Sequence, residues 1–343
     1  MSAAQPVLWL EPELGAVSGG LRYNQQLRQA LAGAGVPVET LRLPVPSFAE
    51  GAGAEQLAQA RQQLRPQLVV IDGLIGSAHP ELFAEDSALP GRTVLLVHLS
   101  AAAALAAEGR GDPEAVSREK WAVLEADHVL TVSRWSAAEL RRRYRRQDIR
   151  VAVPGVKVPQ PAPVPDSRSQ VPQLVSVGAL NPLKNHALLS RALQPLLDLD
   201  WQLVLAGPGA DEPFGQQLLL ELDQRLPGRL AYRGVLESEQ LGELWAGAQL
   251  LLLPSLVETY GMVVTEACAH GVPAFVSAGT GAEEAAGQAG VPLDPQSPGI
   301  WSDRLRRFLV SGEDRAQLRE AALRRRRSLP TWDEAAQVLA GLG

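Results

Sequence analysis

Short apolar runs that do not alternate with polar residues set the strongest limit on how this chain folds. The first half carries PVLWLEP, PVETLRL, QLVVIDG, RTVLLVHLS, HVLTVS and IRVAVPGV. Runs rich in Val and Leu at nearly every position suit strands buried on both faces of a parallel sheet. Helix-patterned segments separate them. In LRYNQQLRQALAGAG, Leu21, Leu27 and Leu31 fall near helical spacing, and Gly33 and Gly35 stop the helix. A second series follows, QLVSVGAL, WQLVLAGPG, LAYRGVL, QLLLLPS, PAFVSA and GVPLD, interleaved with helical stretches such as KNHALLSRALQPLL and EQLGELWAGA. Three more helical patterns fill the tail, around Ile300–Val310, Glu313–Leu329 and Trp332–Leu342. Strands alternating with helices imply doubly wound α/β domains. Between the two series lies KVPQPAPVPDSRSQVP, Lys157–Pro172, whose prolines and lack of apolar period mark a linker. The expected fold is α/β, two Rossmann-like doubly wound parallel-sheet domains facing a cleft. The first covers residues 1–158, the linker 159–172 and the second 173–325. A C-terminal helix over 326–343 is a candidate to pack back on the first domain.

Bulk properties narrow the function. A chain of 343 residues is too long for one ordinary core and suits two domains. The net charge of -6 is not that of a basic nucleic-acid binder, so no nucleic-acid partner is expected. Cys268 is the single cysteine, which rules out an intrachain disulfide and a cysteine-based zinc site. The histidines His79, His98, His128, His186 and His270 show no HExxH spacing. The first residues lack a basic start followed by an apolar run, and no apolar run approaches the ~20 residues of a membrane span. On sequence the protein reads as cytoplasmic.

In open parallel sheets, ligands bind beyond the carboxyl ends of the strands, so chemistry belongs in the loops that follow them. One such loop follows QLLLLPS. It reads VETYG and leads into MVVTEACAH, which Gly271 stops before Pro273 starts the next strand. Gly261 permits a tight entry to that helix. The helix start offers free backbone N–H groups and a partial positive charge, a natural seat for phosphate. Glu258 lies before this anion site and Glu266 beside it. Taken singly, each is more readily a solvated charge. Taken as a strand–Glu–Gly–helix–Glu unit, they suit a nucleotide sugar, with diphosphate at the helix start and a carboxylate each for ribose and sugar.

The stretch ETYGMVVTEACAHGVP resembles the E-x7-E signature of the group 1, family 4 retaining glycosyltransferases, with Glu258 and Glu266 as the two acids. Nearly the whole chain shares in the resemblance. SVGALNPLKNHALL is similar to the segment that brings a phosphate-binding lysine before a helix, which puts Lys184 in that role. GAVSGGLRYNQQLRQAL resembles the N-terminal Gly-Gly loop and first helix, with Gly19 and Gly20 at the loop. VLLVHLS ends in a histidine, His98, as the corresponding family strand does, and EADHVLTVS matches the strand before Ser133. The resemblance implies a GT-B fold. It also implies transfer of a sugar, with retained configuration, from a nucleotide diphosphate sugar to an acceptor hydroxyl. Lys184 and the Gly261, Met262 and Val263 backbone would stabilise the leaving diphosphate. Glu258 would stabilise the sugar, Glu266 would bind the ribose, and His98 would reach the sugar from the other domain. No metal and no other cofactor is implied.

Two departures stand out. The family arginine before the lysine is replaced at the candidate positions by Ala179 and Leu183, leaving a point charge where a bidentate fork is usual. Either another arginine, such as Arg22 or Arg233, compensates, or the protein is a weak or inactive nucleotide-sugar binder. Asn185 replaces the usual glycine, a milder change because Asn tolerates unusual backbone angles. A phosphorylase on the same architecture would need a pyridoxal phosphate lysine that the sequence does not point to, and the E-x7-E spacing argues against an epimerase.

Other residues carry competing readings. Asp72 and Gly73 end a strand and either line the acceptor site or form a turn. His270, last in its helix, reads as a cation on the helix dipole, and Cys268 as a small core residue. The run Arg141, Arg142, Arg143, Arg145 and Arg146 reads first as a solvated helix end, as does Arg324–Arg327. The alternative is peripheral contact with an anionic membrane, with Arg142 and Arg146 sharing one helix face.

Overall fold

A computed structural model describes residues 6–14, 18–43, 60, 63–84, 91–159 and 171–343. The apolar runs become the strands of two all-parallel six-stranded sheets. The first holds β1 (Val7–Pro12), β2 (Val38–Leu43), β3 (Leu68–Asp72), β4 (Arg92–Val97), β5 (His128–Thr131) and β6 (Ile149–Val151), in the order β2-β1-β3-β4-β5-β6. The second holds β7 (Gln173–Val177), β8 (Gln202–Ala206), β9 (Leu230–Tyr232), β10 (Leu250–Leu253), β11 (Ala274–Ser277) and β12 (Gly290–Leu293), in the order β12-β11-β10-β7-β8-β9. Central strands are buried throughout: β3, β10 and β11 have no exposed position. Edge strand β2, VETLRL, carries the polar residues and is largely open to water.

The chain divides into two compact units, residues 1–155 with 330–343, and residues 156–329. Residues 160–170 of the expected linker lie outside the described residues. In the first unit Leu8, Leu10, Val69, Ile71, Leu95 and Val129 form the heart of one apolar core. In the second, Trp201, Leu203, Leu250, Phe275, Trp301 and Phe308 form the heart of another. Burying one such large side chain contributes about 1.5–3 kcal/mol, so each sheet is held by its own helices.

The last helix, Trp332–Ala340, belongs to the first unit and packs against the helix Gly19–Gly33. A capping box fixes its start, with Thr331 and Glu334 exchanging hydrogen bonds. Trp332 meets Tyr23 edge to face, ring centroids 5.3 Å apart. The chain passes so close at Gly155 that a Cβ there would sit 2.1 Å from the Trp332 nitrogen, so only glycine fits. No described helix is long and apolar enough to cross a membrane.

Candidate active site

The strand order of the second sheet places its topological switch between β7 and β10, where the chain turns from one half of the sheet to the other. Loops leaving adjacent strands at such a point diverge and open a crevice. Here they are also tied to each other. The Leu256 N–H donates to the Leu183 carbonyl at 2.8 Å, and the Asn185 side chain donates to the carbonyls of Pro254 (3.1 Å) and Pro295 (3.0 Å). Asn185 reaches them from a left-handed conformation, φ 53°, which Asn adopts more readily than most residues. The Asn181 side chain accepts from the Lys184 N–H at 3.1 Å and starts a single 3-10 turn.

That turn aims Lys184. Its aliphatic stem lies over Gly178, where a Cβ would meet the Lys184 side chain at 3.5–3.6 Å. Its Nζ donates to Glu258 Oε2 at 2.6 Å, from a side chain 27% exposed to one 13% exposed. The pair therefore joins the first strand's loop to the fourth strand's loop at the switch point. Glu258 is held from behind as well, since its carbonyl accepts from the Gly281 N–H at 2.7 Å. A Cβ on Gly281 would come within 2.0 Å of the Thr259 carbonyl oxygen. Gly281 thus shapes the loop that carries Glu258, which the sequence reading missed; the local signal was the AGTG stretch after β11.

Just beyond, Gly261 caps the helix Met262–Ala269 at φ 85°. No side chain caps this helix start. The backbone amides of the first turn are therefore oriented for an anion a few residues from the Lys184–Glu258 pair. Met262, Val263 and Glu266 are half-buried, while Val264, Ala267 and Cys268 face the core.

The first unit gathers a second cluster at the ends of β3 and β4. His98 follows β4, and its Nε2 lies 2.8 Å from Asn24 Oδ1 and 3.4 Å from Asp72 Oδ2. Asn24 Nδ2 donates to Asp72 Oδ2 at 2.8 Å, and the Leu74 N–H donates to Asp72 Oδ1 at 2.9 Å. Burial alone would push the Asp72 carboxyl up. The hydrogen bond and charge of His98, with the Asn24 and Leu74 donors, outweigh it and hold the carboxyl below its usual value. Tyr23 packs edge-on against the His98 ring at 5.1 Å and spends its hydroxyl on the Ala152 carbonyl at 2.7 Å. A Cβ on Gly20 would stand 3.1 Å from the ring, so glycine lets the imidazole lie against the helix.

Known proteins can now be set beside this geometry. Residues 162–325 match the profile of the family described as glycosyl transferases group 1. The match covers a little under half of the chain and falls on the second unit. The chain is 30% identical over 265 residues to a D-inositol 3-phosphate glycosyltransferase of Salinispora tropica, covering 69% of this chain and 55% of that protein. It is 30% identical over 270 residues to the protein of the same name from Streptomyces avermitilis, covering 71% and 58%. The chain thus spans a little over half the length of these relatives. Among solved structures, sucrose-phosphate synthase from Thermosynechococcus elongatus superposes with a TM-score of 0.85 at 20% identity, over 98% of both chains. The Anabaena protein HepE, solved with UDP and glucose, gives 0.76 at 17% identity, again over 98% of both. The fold is GT-B, with a Rossmann-like parallel sheet in each unit.

Within the matched segment the structure brings together Lys184, Glu258, Gly261, Met262 and Val263, with Glu266 one turn further along the helix. In the first unit it brings His98 to Gly20. Gly19 and Gly20 do not form a loop, however. They are the first turn of the helix Gly19–Gly33, capped by the Ser18 hydroxyl accepting from the Leu21 N–H at 3.2 Å. Asp72 caps the helix Gly73–Ala78, as the turn reading has it, and is also a partner of His98. Asn24, which joins them, had no sequence signal beyond its place on a helix.

Two other readings change and one holds. His270 does end its helix, but burial and the Arg326 charge push its imidazole toward the neutral form, which removes the dipole argument. Cys268 is a core residue whose thiol is pushed up to about 12 by burial. In the arginine run the helix stops at Tyr144, and Arg145 turns left-handed at φ 60°. Arg146 therefore shares no helix face with Arg142. It caps a neighbouring helix instead, donating to the carbonyls of Val123 (2.8 Å) and Ala126 (2.5 Å). Arg142 and Arg143 both pair with Glu139, and Arg141 donates to the Ile149 carbonyl at 2.8 Å. Arg233 sits after edge strand β9, two strands from β7, and Arg22 is exposed on the first helix of the other unit. Among the described residues no group of three or more His, Cys, Asp or Glu side chains is arranged to hold a metal.

Proposed function

We propose that the protein is a retaining glycosyltransferase that moves a sugar from a nucleotide diphosphate sugar to an acceptor hydroxyl. The observation that carries this reading is the 2.6 Å Lys184–Glu258 pair at the switch point, beside a helix start without a side-chain cap. The diphosphate sits on the Gly261, Met262 and Val263 amides with Lys184 beside it. As the sugar–phosphate bond breaks, negative charge grows on the leaving phosphate and positive charge on the sugar. Lys184 and the oriented amides meet the first without reorganising. Glu258, already turned toward this point, meets the second. Glu266 accepts from the ribose hydroxyls, and His98 hydrogen-bonds a substrate hydroxyl. In this reading the leaving group is stabilised by lysine, amides and helix dipole, and no metal takes part.

Supporting the reading are the group 1 match over residues 162–325, relatives whose names specify glycosyl transfer, and a fold shared with a protein solved with UDP and glucose. The missing family arginine makes Lys184 the main cation of its loop, so the donor leans on a single point charge. Membrane contact stays a minor part of the proposal. Arg142 and Arg145 are the exposed side chains of the run that would carry it.

Calorimetric titration of UDP, GDP, ADP and TDP into the wild type and Glu266→Ala tests the proposal. Binding of one nucleotide, lost in the variant, is the expected result, and donor turnover by the wild type follows from it. A folded wild type that binds none of the four would sink the transferase reading. Binding without turnover would leave a nucleotide-sugar-binding protein.

A further inference from the structure

The His98 cluster contains more than its position. Asp72 Oδ1 accepts from the Leu74 N–H and Oδ2 from Asn24. A carboxylate only accepts, so the Asn24 amide must present its NH2 to Asp72. That orientation turns Asn24 Oδ1 toward His98, 2.8 Å from Nε2. An amide oxygen only accepts too, so His98 Nε2 must carry a hydrogen. The second acceptor within reach of the same nitrogen, Asp72 Oδ2 at 3.4 Å, demands the same. The other titratable group against the ring is Tyr23, whose hydroxyl is committed to Ala152. Asn24 and Asp72 are buried, so water does not compete for these bonds.

We infer that Asp72 and Asn24 are positioning residues that hold the neutral His98 as its Nε2–H tautomer. Nδ1 is then the ring atom that accepts a hydrogen bond, and His98 selects a ligand group that donates one, such as a hydroxyl, over a carbonyl or phosphate oxygen. The choice of a substrate hydroxyl as that donor rests on the proposed function; the tautomer does not.

The relay can be inverted. In Asp72→Asn, the side-chain oxygen at position 72 is held by the Leu74 N–H, so its NH2 faces Asn24. Asn24 then turns its oxygen to position 72 and its NH2 to His98. Nε2 must become the acceptor, and the hydrogen moves to Nδ1. Long-range 1H–15N spectra of the full chain read the tautomer directly. They are recorded roughly two pH units above the ordinary histidine pKa of about 6.5, with His98 assigned by loss of its signals in His98→Gln. The expected result is Nε2–H in the wild type, Nδ1–H in Asp72→Asn and a mixture in Asn24→Leu. A wild-type ring that is Nδ1–H or a tautomer mixture overturns the inference, whether or not either variant folds. So does a folded Asp72→Asn with its tautomer unchanged. Where the wild type turns over a donor, Asp72→Asn should lower kcat/KM about tenfold, the loss of one hydrogen bond. A wild type that binds no nucleotide would end the transferase reading and leave the spectra to decide the relay.

Discussion

The two clusters are built on opposite plans. The Lys184–Glu258 pair joins two loops, is partly open to water, and involves flexible side chains. The Asp72–Asn24–His98 cluster joins a strand end, a helix and a second strand end, and two of its three members are fully enclosed. A partly exposed ion pair is worth little to folding and can be rearranged when a ligand arrives. A buried relay contributes to folding and cannot rearrange without leaving a polar group unpaired. The same kind of mutation should therefore be read out in activity in one unit and in stability in the other.

The largest effect expected is on the Lys184–Glu258 pair. Lys184→Ala should lower donor turnover roughly 10²–10³-fold, the usual loss for one preorganised electrostatic partner, with little change in the urea midpoint. Rates and unfolding curves on the same samples check both halves. A variant that unfolds early but turns over normally would reverse the comparison.

Gly281→Ala is next. Its Cβ would meet the Thr259 carbonyl at 2.0 Å, and that oxygen is backbone, which cannot swing aside. A cost of about 1–3 kcal/mol is expected from overpacking. Stability and activity should fall together, because the Gly281 N–H holds the Glu258 carbonyl. If activity survives at full stability, the loop that aims Glu258 is softer than its packing implies.

How much of this the sequence disclosed follows the same divide. The strands of both sheets were legible, because a both-faces-buried strand must be apolar along its length. Glu258 and Gly261 stood out because loop residues next to a strand end and a helix start show in their own spacing, whereas Lys184 stood out only through the family resemblance of its segment. Asn24 was not, since its partner is 48 positions away and only the β1-β3-β4 order brings the two together. Gly19 and Gly20 were placed at a loop by the family resemblance, whereas here the Ser18 cap starts the helix at Gly19. Arg146 was misread because a charge run carries no record of which neighbouring carbonyls it will satisfy.

Acid sharpens the comparison in the first unit. The Asp72 carboxyl sits below its ordinary value in the folded chain, so the unfolded state binds more protons in that window. Stability from this group is present above the ordinary carboxylate range and is lost as pH falls through the folded value. Asp72→Leu removes it and leaves the Asn24 amide and the Leu74 N–H without an acceptor, a cost of about 1–3 kcal/mol near neutral pH. The gap between wild type and variant should narrow on acidification, which urea curves from about pH 7 down to pH 3 would follow. A gap that stays constant would mean the carboxylate is not the group holding the cluster.

The smallest effects come from the arginine run, where the contrast between enclosed and exposed recurs within six residues. Arg146 is 10% exposed and holds the carbonyl ends of the helix Pro113–Glu125. Arg142 is 72% exposed and pairs with a glutamate on its own helix. Arg146→Ala should cost about 1–2 kcal/mol, because buried carbonyls lose their donor. Arg142→Ala should stay within about 0.5 kcal/mol, as surface pairs do. Equal losses in thermal unfolding would show that the run acts as one charged patch. Unequal losses in this order would show that one arginine is a structural cap and the other is free to meet whatever approaches that surface.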